Sequence, residues 1–439
     1  MLLVGHNERP ALFYSNLKEY NGTMQLVADF HIHSKYSRAT SKDMDLEHLD
    51  KWAKIKGIKV LGTGDFTQPE WFANLKEKLV PAEPGLFKLK NGGSPIRFIL
   101  TAEISCIYSK KNRVRKIHVI LFAPSFEVAD RINAHLGWVG NLKSDGRPIL
   151  GLDAKELAKI VLGTSEDCFV VPAHLMTPWF SLFGSKSGFD SVEECFEEYS
   201  KYIYAGETGL SADPAMLWRM PDCRKIALLS NSDSHSPQKI GREANVFDLP
   251  FLSYSSITEA IKKKDPQNFL YTVEFYPEEG KYHYDGHRNC GIVLSPKESK
   301  KYNNLCPVCG KSLTIGVLNR VEQLADKEEG FKPENAIPFK SLVPLNEIIA
   351  ESLGVGCASL QVGREYNNLI EKLGNEFNIL LNVSKEELST VTLPEIVEGI
   401  LRVRKGDVFI EPGHDGVYGK VKIFSKKERK NPSKQGILW

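Results

Sequence analysis

The sequence predicts a parallel α/β fold over most of its length, followed by a small cysteine-containing segment and a mainly helical region. Two observations carry this prediction. Short β-branched runs alternate with amphipathic stretches from Met24 to about Asn268, which is typical of parallel α/β architectures. Histidines and carboxylates also recur where these runs end, and the carboxyl ends of the strands form the functional face of parallel α/β barrels.

The composition is that of an ordinary globular chain. It has 439 residues, 42% of them hydrophobic, and 57 Lys and Arg residues nearly balance 55 Asp and Glu residues. This length predicts about two to four domains, and the composition excludes a disordered, collagen-like or coiled-coil chain. No apolar run approaches the ~20 residues that a membrane span needs, and the N-terminus lacks a basic region and a cleavage site for secretion. We therefore expect a cytoplasmic protein.

The elements of the α/β region can be assigned in order. Leu26–Phe30 predicts the first strand, and apolar residues then repeat at helical spacing from Leu46 to Ala53, with Gly57 where a helix C-cap is expected. Ile58–Leu61 again favours a strand. Further strands are predicted at Arg97–Leu100, Ile117–Phe122, Phe169–Val171, Ile203–Ala205 and Lys225–Leu229.

Changes in pattern divide the chain into five segments. These are an N-terminal extension (1–23), the α/β region (24–280), a cysteine-containing module (281–316), a helical and hairpin region (317–425) and a flexible basic tail (426–439). Within the fourth segment, Leu345–Leu353 and Glu365–Leu373 predict helices, and Asp407–Phe424 predicts a hairpin through the turn-rich sequence EPGHDGVYG.

Metal-competent side chains fall at the ends of the predicted strands. His31 and His33, like Asp233 and His235, are two residues apart, so each pair projects to one side of an extended segment. Glu103, Asp65, His174 and His118 add to this set, although His118 lies early in its run. Mixed nitrogen and oxygen ligands suit Zn²⁺, Mn²⁺ or Fe²⁺. The alternative, core histidines with satisfied hydrogen bonds, does not explain why they cluster at strand ends.

A second metal site is predicted after the α/β region. His287-x₂-Cys290 and Cys306-x₂-Cys309 give one histidine and three cysteines at a spacing close to that of a zinc ribbon. Four protein ligands leave no open position, so this zinc is expected to fold the module and not to catalyse. The alternative is a set of reduced, buried thiols, and His283 is a rival to His287.

The motifs ADFHIHSKYS, GTGDF, TAEIS and NSDSH, with the His118 and His174 segments, resemble those of the PHP (polymerase and histidinol phosphatase) metallophosphoesterases. The chain from Met24 to about Phe424 closely resembles the endonuclease Q family. Beyond the PHP motifs, the resemblance rests on the cysteine module and on the sequences LTIGVLNRVEQLAD, IPFKSLVPLNEIIAESLGVG and EPGHDGVYG. The resemblance implies a distorted (β/α)₇ barrel with two or three metals, then a zinc ribbon and a helical C-terminal domain.

The resemblance also implies particular ligands. His31, His33, Glu103 and Asp233 would hold one metal, and Glu103, His118 and His174 a second, with Glu103 bridging. For a third metal only His235 remains, with Asp65 as an additional candidate, because Arg38 and Phe66 stand where the family has ligands. Arg38 is instead a candidate phosphate clamp, since a guanidinium pairs with two phosphate oxygens; the alternative is a surface ion pair.

The implied function is that of a DNA repair endonuclease. It would nick DNA on the 5′ side of a deaminated base (uracil, hypoxanthine or xanthine) or an abasic site, using water activated by Zn, Mn, Mg or Fe. The catalytic candidates are Asp233, Glu103 and Arg38, with Asp233 or a free histidine taking the proton. The alternatives are a PHP-type phosphatase for a small phosphorylated substrate and a non-catalytic, clamp-recruited DNA-binding protein.

Candidate DNA contacts lie around the metal-competent residues. Trp179, Phe180 and Phe183 follow His174 and could stack on an extruded base, with ordinary core packing as the alternative. Lys186 lies among these aromatics and is a further candidate DNA contact. Arg113 and Arg115 belong to a basic run that is a candidate for phosphate contacts or a solvated hairpin loop. At the C-terminal end, Gln435, Leu438 and Trp439 resemble the short peptides that dock into a sliding clamp.

Overall fold

The computed structural model describes residues 23–91, 93–425 and 428. The extension before residue 23 and the clamp-like residues of the tail lie outside this range. In the α/β region the strands are β1 (Met24–Asp29), β2 (Val60–Gly62), β3 (Leu79–Pro81), β4 (Phe87–Leu89), β5 (Arg97–Lys110), β6 (Arg113–Ala123), β7 (Ile149–Leu150), β8 (Phe169–Pro172), β9 (Ala205–Glu207), β10 (Ala227–Leu229), β11 (Ala244–Leu249) and β12 (Phe269–Glu274). Its helices are α1 (Leu46–Lys56), α2 (Pro69–Lys78), α3 (Phe126–Val139), α4 (Ala154–Thr164), α5 (Val192–Phe196), α6 (Pro214–Leu217), α7 (Pro221–Lys225) and α8 (Tyr254–Lys263).

The rest of the described chain is mostly helical. In order, its elements are β13 (Asp285–His287), β14 (Ile292–Leu294), α9 (Pro296–Lys301), α10 (Val317–Leu324), β15 (Phe339–Ser341), α11 (Leu345–Leu353), α12 (Leu360–Leu373), α13 (Glu376–Leu381), α14 (Lys385–Val391), α15 (Pro394–Lys405), β16 (Phe409–Glu411) and β17 (Lys420–Lys422). Short 3-10 turns occur at Glu197–Tyr202, Pro237–Lys239, Pro277–Glu279 and Arg288–Cys290. No helix among the described residues combines the length and the apolar character needed to cross a membrane.

A distorted barrel forms the centre of the α/β region. Strand β1 pairs parallel with β2, and β2 pairs parallel with β5. Strand β6 then pairs antiparallel with both β5 and β8, and β9 and β10 form a separate parallel pair. Hydrogen bonds outside the strands join the remaining neighbours: Leu175 N donates to Glu207 O (2.9 Å), and His33 N donates to Ser234 O (3.0 Å). The predicted α/β barrel is confirmed, but its expected parallel direction is wrong at β6.

The barrel interior has an apolar end and a polar end. Phe30, Phe122, Phe169 and Phe247 are fully buried, and their rings contact one another. Continuing along β1, the chain reaches buried polar side chains instead of further phenylalanines. Burying these polar groups costs free energy unless they are paired, so the apolar end supplies stability and the polar end is the candidate site.

Local sequence signals set the ends of α1. Leu46, Leu49 and Ala53 are fully buried at helical spacing, and the Asp45 side chain caps the N-terminus by accepting from His48 N. Gly57 ends the helix with φ of 90°, a conformation that glycine adopts without steric cost. The helix and its C-cap therefore agree with the prediction.

The C-terminal part packs back onto the barrel. Strand β15 pairs parallel with β12, so the chain returns to the main sheet after the cysteine module. Helices α11 to α15 then bury Ile348, Leu369, Ile379 and Ile396 among themselves. The predicted hairpin is confirmed as β16 and β17, which pair antiparallel.

Candidate metal centre and nucleic-acid groove

Four side chains from three places in the chain converge at the polar end of the barrel. His31 and His33 follow β1, Glu103 lies within β5, and Asp233 follows β10. Their ligand atoms all lie within 4.8 Å of one another. Glu103 Oε2 is 3.4 Å from His31 Nε2 and 3.3 Å from His33 Nε2, and Asp233 Oδ1 is 3.1 Å from His33 Nε2.

A second group shares Glu103. Its other oxygen, Oε1, is 2.7 Å from His118 Nδ1 and 3.2 Å from His174 Nε2. Each carboxylate oxygen of Glu103 thus faces a different group, which is the geometry of a bridging ligand. His118 lies early in the predicted run but in the middle of β6, and it reaches the site because β6 runs antiparallel to its neighbours. The reversed strand explains the apparent exception in the sequence.

The residues present fit bound cations. His31 Nε2 is buried and has no hydrogen-bond partner among the described residues, although it points at Glu103 and Asp233. Burial lowers the pKa of His31, but the carboxylates of Glu207, Glu103 and Asp233 outweigh burial and hold that pKa well above its ordinary value. Burial raises the pKa of Glu103, but His118, Arg147 and His31 outweigh it and hold that pKa well below the usual range. Such a site attracts positive charge, and a metal ion is the natural source.

A buried glutamate, Glu207 at the end of β9, orients this centre. His31 Nδ1 lies 2.9 Å from Glu207 Oε1, which also accepts from Asn231 Nδ2 at 3.0 Å. Its second oxygen accepts from His174 N at 2.8 Å. A carboxylate on Nδ1 leaves Nε2 free for a metal, which is the usual support for a ligating histidine. The sequence analysis missed this residue, although its position at a strand end within AGETGLSADP was a usable signal.

The backbone at the site is strained. Asp65, His174 and Asp233 have φ of 50°, 29° and 45°, values that residues other than glycine seldom adopt. Such strain costs ~1–3 kcal/mol per residue and clusters at functional sites. These three residues sit immediately after barrel strands or in the turns that follow them, so the strain places their side chains or backbone at the centre.

The two candidates for a third metal do not assemble into a ligand group. Asp65 Oδ1 is 3.1 Å from His33 Nδ1, and Oδ2 accepts from Ser34 N, Ser34 Oγ and Ser37 Oγ at 2.6–2.8 Å. Asp65 therefore orients His33 and has its oxygens occupied. His235 is 32% exposed, its ring centroid lies 4.5 Å from that of His33, and it belongs to neither ligand group.

Two arginines lie near the centre, in different roles from those expected. Arg38 is 78% exposed and pairs with Asp145 (3.1 Å), and no contact links it to either ligand group. Arg147, which the sequence analysis missed, donates from Nη1 to Glu103 Oε2 at 3.0 Å. No motif marks Arg147, because the loop that carries it lacks a regular pattern.

The predicted DNA contacts separate into exposed and buried residues. Trp179 (43% exposed), Lys186 and Arg113 are exposed, and the Phe180 ring lies 4.8 Å from the His118 ring. Phe183 is fully buried in the core, so the expectation that it stacks on a base is wrong. Arg115 is also buried: it donates to Gly188 O and stacks on the Phe189 ring at 4.0 Å. It is not available to DNA phosphates.

Two neighbouring cavities form one groove beside the centre. The first, of about 820 Å³, is lined by Thr177–Phe180, Tyr282 and Tyr418. The second, of about 790 Å³, lies against the start of α12 and includes Ser236 and Arg364. Lys239, Arg242 and Phe275 line both cavities. The groove therefore runs from the aromatic loop after His174, past the turn after His235, to the C-terminal helices.

The four ligands of the predicted zinc module also converge. One ligand atom from each of His287, Cys290, Cys306 and Cys309 lies within 4.8 Å of the others, and Cys309 Sγ is 3.8 Å from His287 Nδ1. His283, the rival ligand, is buried outside this group. Three thiolates and an imidazole are a donor set that zinc prefers.

A barrel whose strand ends bring two histidine-carboxylate groups onto one shared glutamate defines a metal-dependent phosphoesterase of the PHP class. Comparison with known proteins identifies the family within this class. The crystal structure of the lesion-specific endonuclease PfuEndoQ from Pyrococcus furiosus is 31% identical, with a TM-score of 0.81 over 94% of this chain and 100% of that one. A complex of Endonuclease Q with a 27-mer duplex substrate, with an abasic lesion at the active site, is 32% identical, with a TM-score of 0.79 over 92% and 98%. This chain belongs to the endonuclease Q family.

Sequence relatives add one point. The protein-family model of the MJ0043 C-terminal domain matches residues 344–407 of this chain, which include α11 to α15. The uncharacterized protein MJ0043 of Methanocaldococcus jannaschii is 35% identical over 277 residues, which are 61% of this chain and 33% of that protein. The chain thus spans about a third of the length of that relative.

Proposed function

We propose that this protein is a DNA repair endonuclease that hydrolyses the phosphodiester on the 5′ side of a deaminated base or an abasic site. The observation that carries the proposal is the bridging position of Glu103 beside a groove of aromatic and basic residues. The structural likeness to a solved complex with lesion-containing duplex DNA supports the same substrate class.

In this proposal, one group of ligands is His31, His33, Glu103 and Asp233, and the second is Glu103, His118 and His174. Two cations bound there would lower the pKa of a water towards ~7 and stabilise charge on the attacking and leaving oxygens. The protein holds the geometry through the contacts of Glu207 and Asp65 with His31 and His33.

Asp233 and His235 are the candidates for taking the proton from the attacking water. Asp233 is 27% exposed, unlike the buried Glu103, and therefore faces the opening of the centre. Burial and the neighbouring His33 lower the pKa of His235, which favours the neutral imidazole that can accept a proton.

The groove offers a place for the damaged nucleotide and the strand that carries it. Its first cavity has a size typical of small-molecule sites, and Trp179 and Phe180 can stack on an extruded base. Lys239 and Arg364 are exposed in the wall of the second cavity and are suited to backbone phosphates. We assign base recognition to the first cavity, and strand binding to the second cavity together with Lys186 and Arg113.

Zinc in the cysteine module would act as a structural ion. The module contributes Tyr282 to the wall of the first cavity. It is joined to the C-terminal hairpin, because Tyr284 N donates to Gly413 O (2.9 Å) and Thr314 Oγ1 donates to Asp415 Oδ1 (2.6 Å). Metal analysis of Cys306→Ser should show the loss of one zinc with the barrel metals retained. Sliding-clamp binding through Gln435, Leu438 and Trp439 rests on the sequence alone.

The central test uses a 5′-labelled duplex with a single uracil, hypoxanthine or abasic site, incubated with Mn²⁺, Mg²⁺ or Zn²⁺. We expect one nick at the lesion, its loss in Asp233→Asn, and wild-type activity in Asp167→Asn, an exposed aspartate away from the centre. Turnover of p-nitrophenyl phosphate without nicking would favour the phosphatase alternative. Lesion binding without turnover under any metal would favour the non-catalytic alternative.

A further inference from the structure

The loop of residues 141–148, between α3 and β7, is anchored on both sides of the metal centre. Gly146 N donates to Tyr36 O (3.1 Å), in the segment after His33, and Ser105 N, two residues after Glu103, donates to Pro148 O (3.1 Å). A β-carbon on Gly146 would overlap Asp65 Oδ2 and Ser37 Oγ. The backbone therefore approaches the centre as closely as only glycine allows, and Arg147 lies between the two anchors.

The Arg147 guanidinium is only partly used by the protein. Nη1 donates to Glu103 Oε2, the oxygen that faces His31 and His33. Nε and Nη2 have no acceptor among the described residues, and the side chain is 29% exposed. The unused donors belong to the same guanidinium as Nη1 and so lie beside the ligand groups. A guanidinium edge with two free N–H groups matches two oxygens of a phosphate.

Asp145 connects Arg38 to this loop. Its Oδ1 accepts from Arg147 N (3.1 Å) and Arg38 N (3.4 Å), and its Oδ2 lies 3.1 Å from Arg38 Nε. Arg38 thus contacts the carboxylate that fixes the backbone of Arg147 while making no contact with the ligand groups. Its surface ion pair is therefore connected to the centre.

We propose that Arg147 is a catalytic residue that binds the non-bridging oxygens of the scissile phosphate, and that Arg38 is a positioning residue acting through Asp145. The assignment rests on the proposed endonuclease function. Negative charge on these oxygens is stabilised by a fixed donor that need not reorganise during the reaction. Arg147 contributes charge and hydrogen bonds and transfers no proton, because a guanidinium stays protonated in proteins.

The first test compares Arg147→Ala and Arg147→Lys with Lys143→Ala, which removes an exposed positive charge from the same loop. Loss of one such donor typically costs ~100-fold or more in kcat. We expect that loss in Arg147→Ala, a smaller loss in Arg147→Lys and no change in Lys143→Ala. Metal content and affinity for uncleaved DNA should change less than threefold, and added guanidinium chloride at millimolar concentration should restore part of the activity of Arg147→Ala.

The second test is a double-mutant cycle. Arg38→Ala should lower kcat about tenfold with its pH profile unchanged, and should have no further effect in the Arg147→Ala background, because residues in one chain of contacts are non-additive. Additive losses would overturn the positioning role. The proposed role of Arg147 in binding the scissile phosphate would be overturned by either of two results: activity of Arg147→Ala within twofold of wild type, or a loss of activity that depleted metal explains. A wild-type protein that fails to nick lesion DNA would instead refute the proposed function.

Discussion

Glu207 shows how a residue that touches no substrate can control this site. It is fully buried and receives hydrogen bonds from the His31 ring, the His174 backbone and the Asn231 amide. No charge partner in the sequence suggested this role, because Asn231 and His31 are far from Glu207 along the chain. Glu103 and the histidines were found from sequence because they recur at strand ends, whereas support by Glu207 depends on three-dimensional neighbours.

We predict that Glu207→Gln weakens metal binding in the barrel by ~10–100-fold, since this is the usual cost of removing such support. The glutamine amide has the shape of the carboxylate, but its NH₂ group would face at least one of the groups that donate to Glu207 in the wild-type protein. The measurement is titration of the metal-depleted protein with Mn²⁺. Glu198→Gln, at a surface glutamate that is 64% exposed, is the matched control. Equal affinity in both variants would contradict the role assigned to Glu207.

A second buried carboxyl, Glu274, should make stability depend on pH. Burial raises its pKa to about 8, although Thr272 and Thr208 donate hydrogen bonds that partly oppose the shift. The folded state therefore holds a proton that the unfolded chain releases near its ordinary pKa of 4.5. Stability from this group is present at low pH and is lost as pH rises through about 8.

We predict that Glu274→Gln is more stable than wild type at pH 9, by roughly 1–4 kcal/mol, and close to wild type at pH 5. Urea unfolding of the metal-loaded protein at both pH values measures this difference. Glu166→Gln, an exposed glutamate, should shift neither value. If the free energy of unfolding changed with pH equally in Glu274→Gln and in wild type, Glu274 would have an ordinary pKa.

At the scale of elements, the sequence identified most strands but not their extent or direction. The prediction stopped the third strand at Leu100, whereas β5 continues to Lys110. Polar residues such as Glu103 and Ser105 interrupt the apolar pattern inside this strand because they line the site. The antiparallel direction of β6 follows from a tight turn at Lys111 and Asn112. This turn agrees with the solvated hairpin loop that was the alternative to phosphate contacts for the basic run.

That turn gives a prediction about stability. Lys111 and Asn112 have φ of 52° and 58°, and two-residue turns with both φ values positive favour Asn-Gly. The double variant Lys111→Asn, Asn112→Gly should raise the free energy of unfolding by ~0.5–1 kcal/mol without changing metal content. Lys159→Asn on the exposed face of α4 should not stabilise, because asparagine is a weaker helix former. A lower free energy of unfolding in the double variant would contradict the assignment of a two-residue turn with positive φ at both positions.

At the scale of the whole molecule, one buried ion pair joins the barrel to the C-terminal helices. Lys56 Nζ of α1 is 2.7 Å from Glu376 Oε2, and both side chains are 6% exposed. Tyr366 OH donates to the same oxygen (2.6 Å), and Leu345 N donates to Oε1 (3.1 Å). Four elements therefore meet at Glu376, next to the wall of the second cavity.

We predict that Glu376→Gln lowers the free energy of unfolding by ~3 kcal/mol, because it leaves the buried Lys56 ammonium without a counter-ion. Glu371→Gln, exposed on α12, should have little effect. The double variant Lys56→Met, Glu376→Leu should recover most of the loss, since a buried ion pair can often be replaced by apolar groups. If the double variant were less stable than Glu376→Gln, the pair would not be acting as a charge pair.

The pairing of β5 with β6 has a consequence for how this protein can vary in length. Every residue of β6 has a partner on β5, from Lys110 opposite Arg113 to Leu100 opposite Ala123. Extra residues at the tip of this hairpin would leave Glu103 and His118 in place. A single insertion between Glu103 and the tip would turn one of them to the other face of the sheet. Homologues with longer arms should therefore carry their insertions only at the tip.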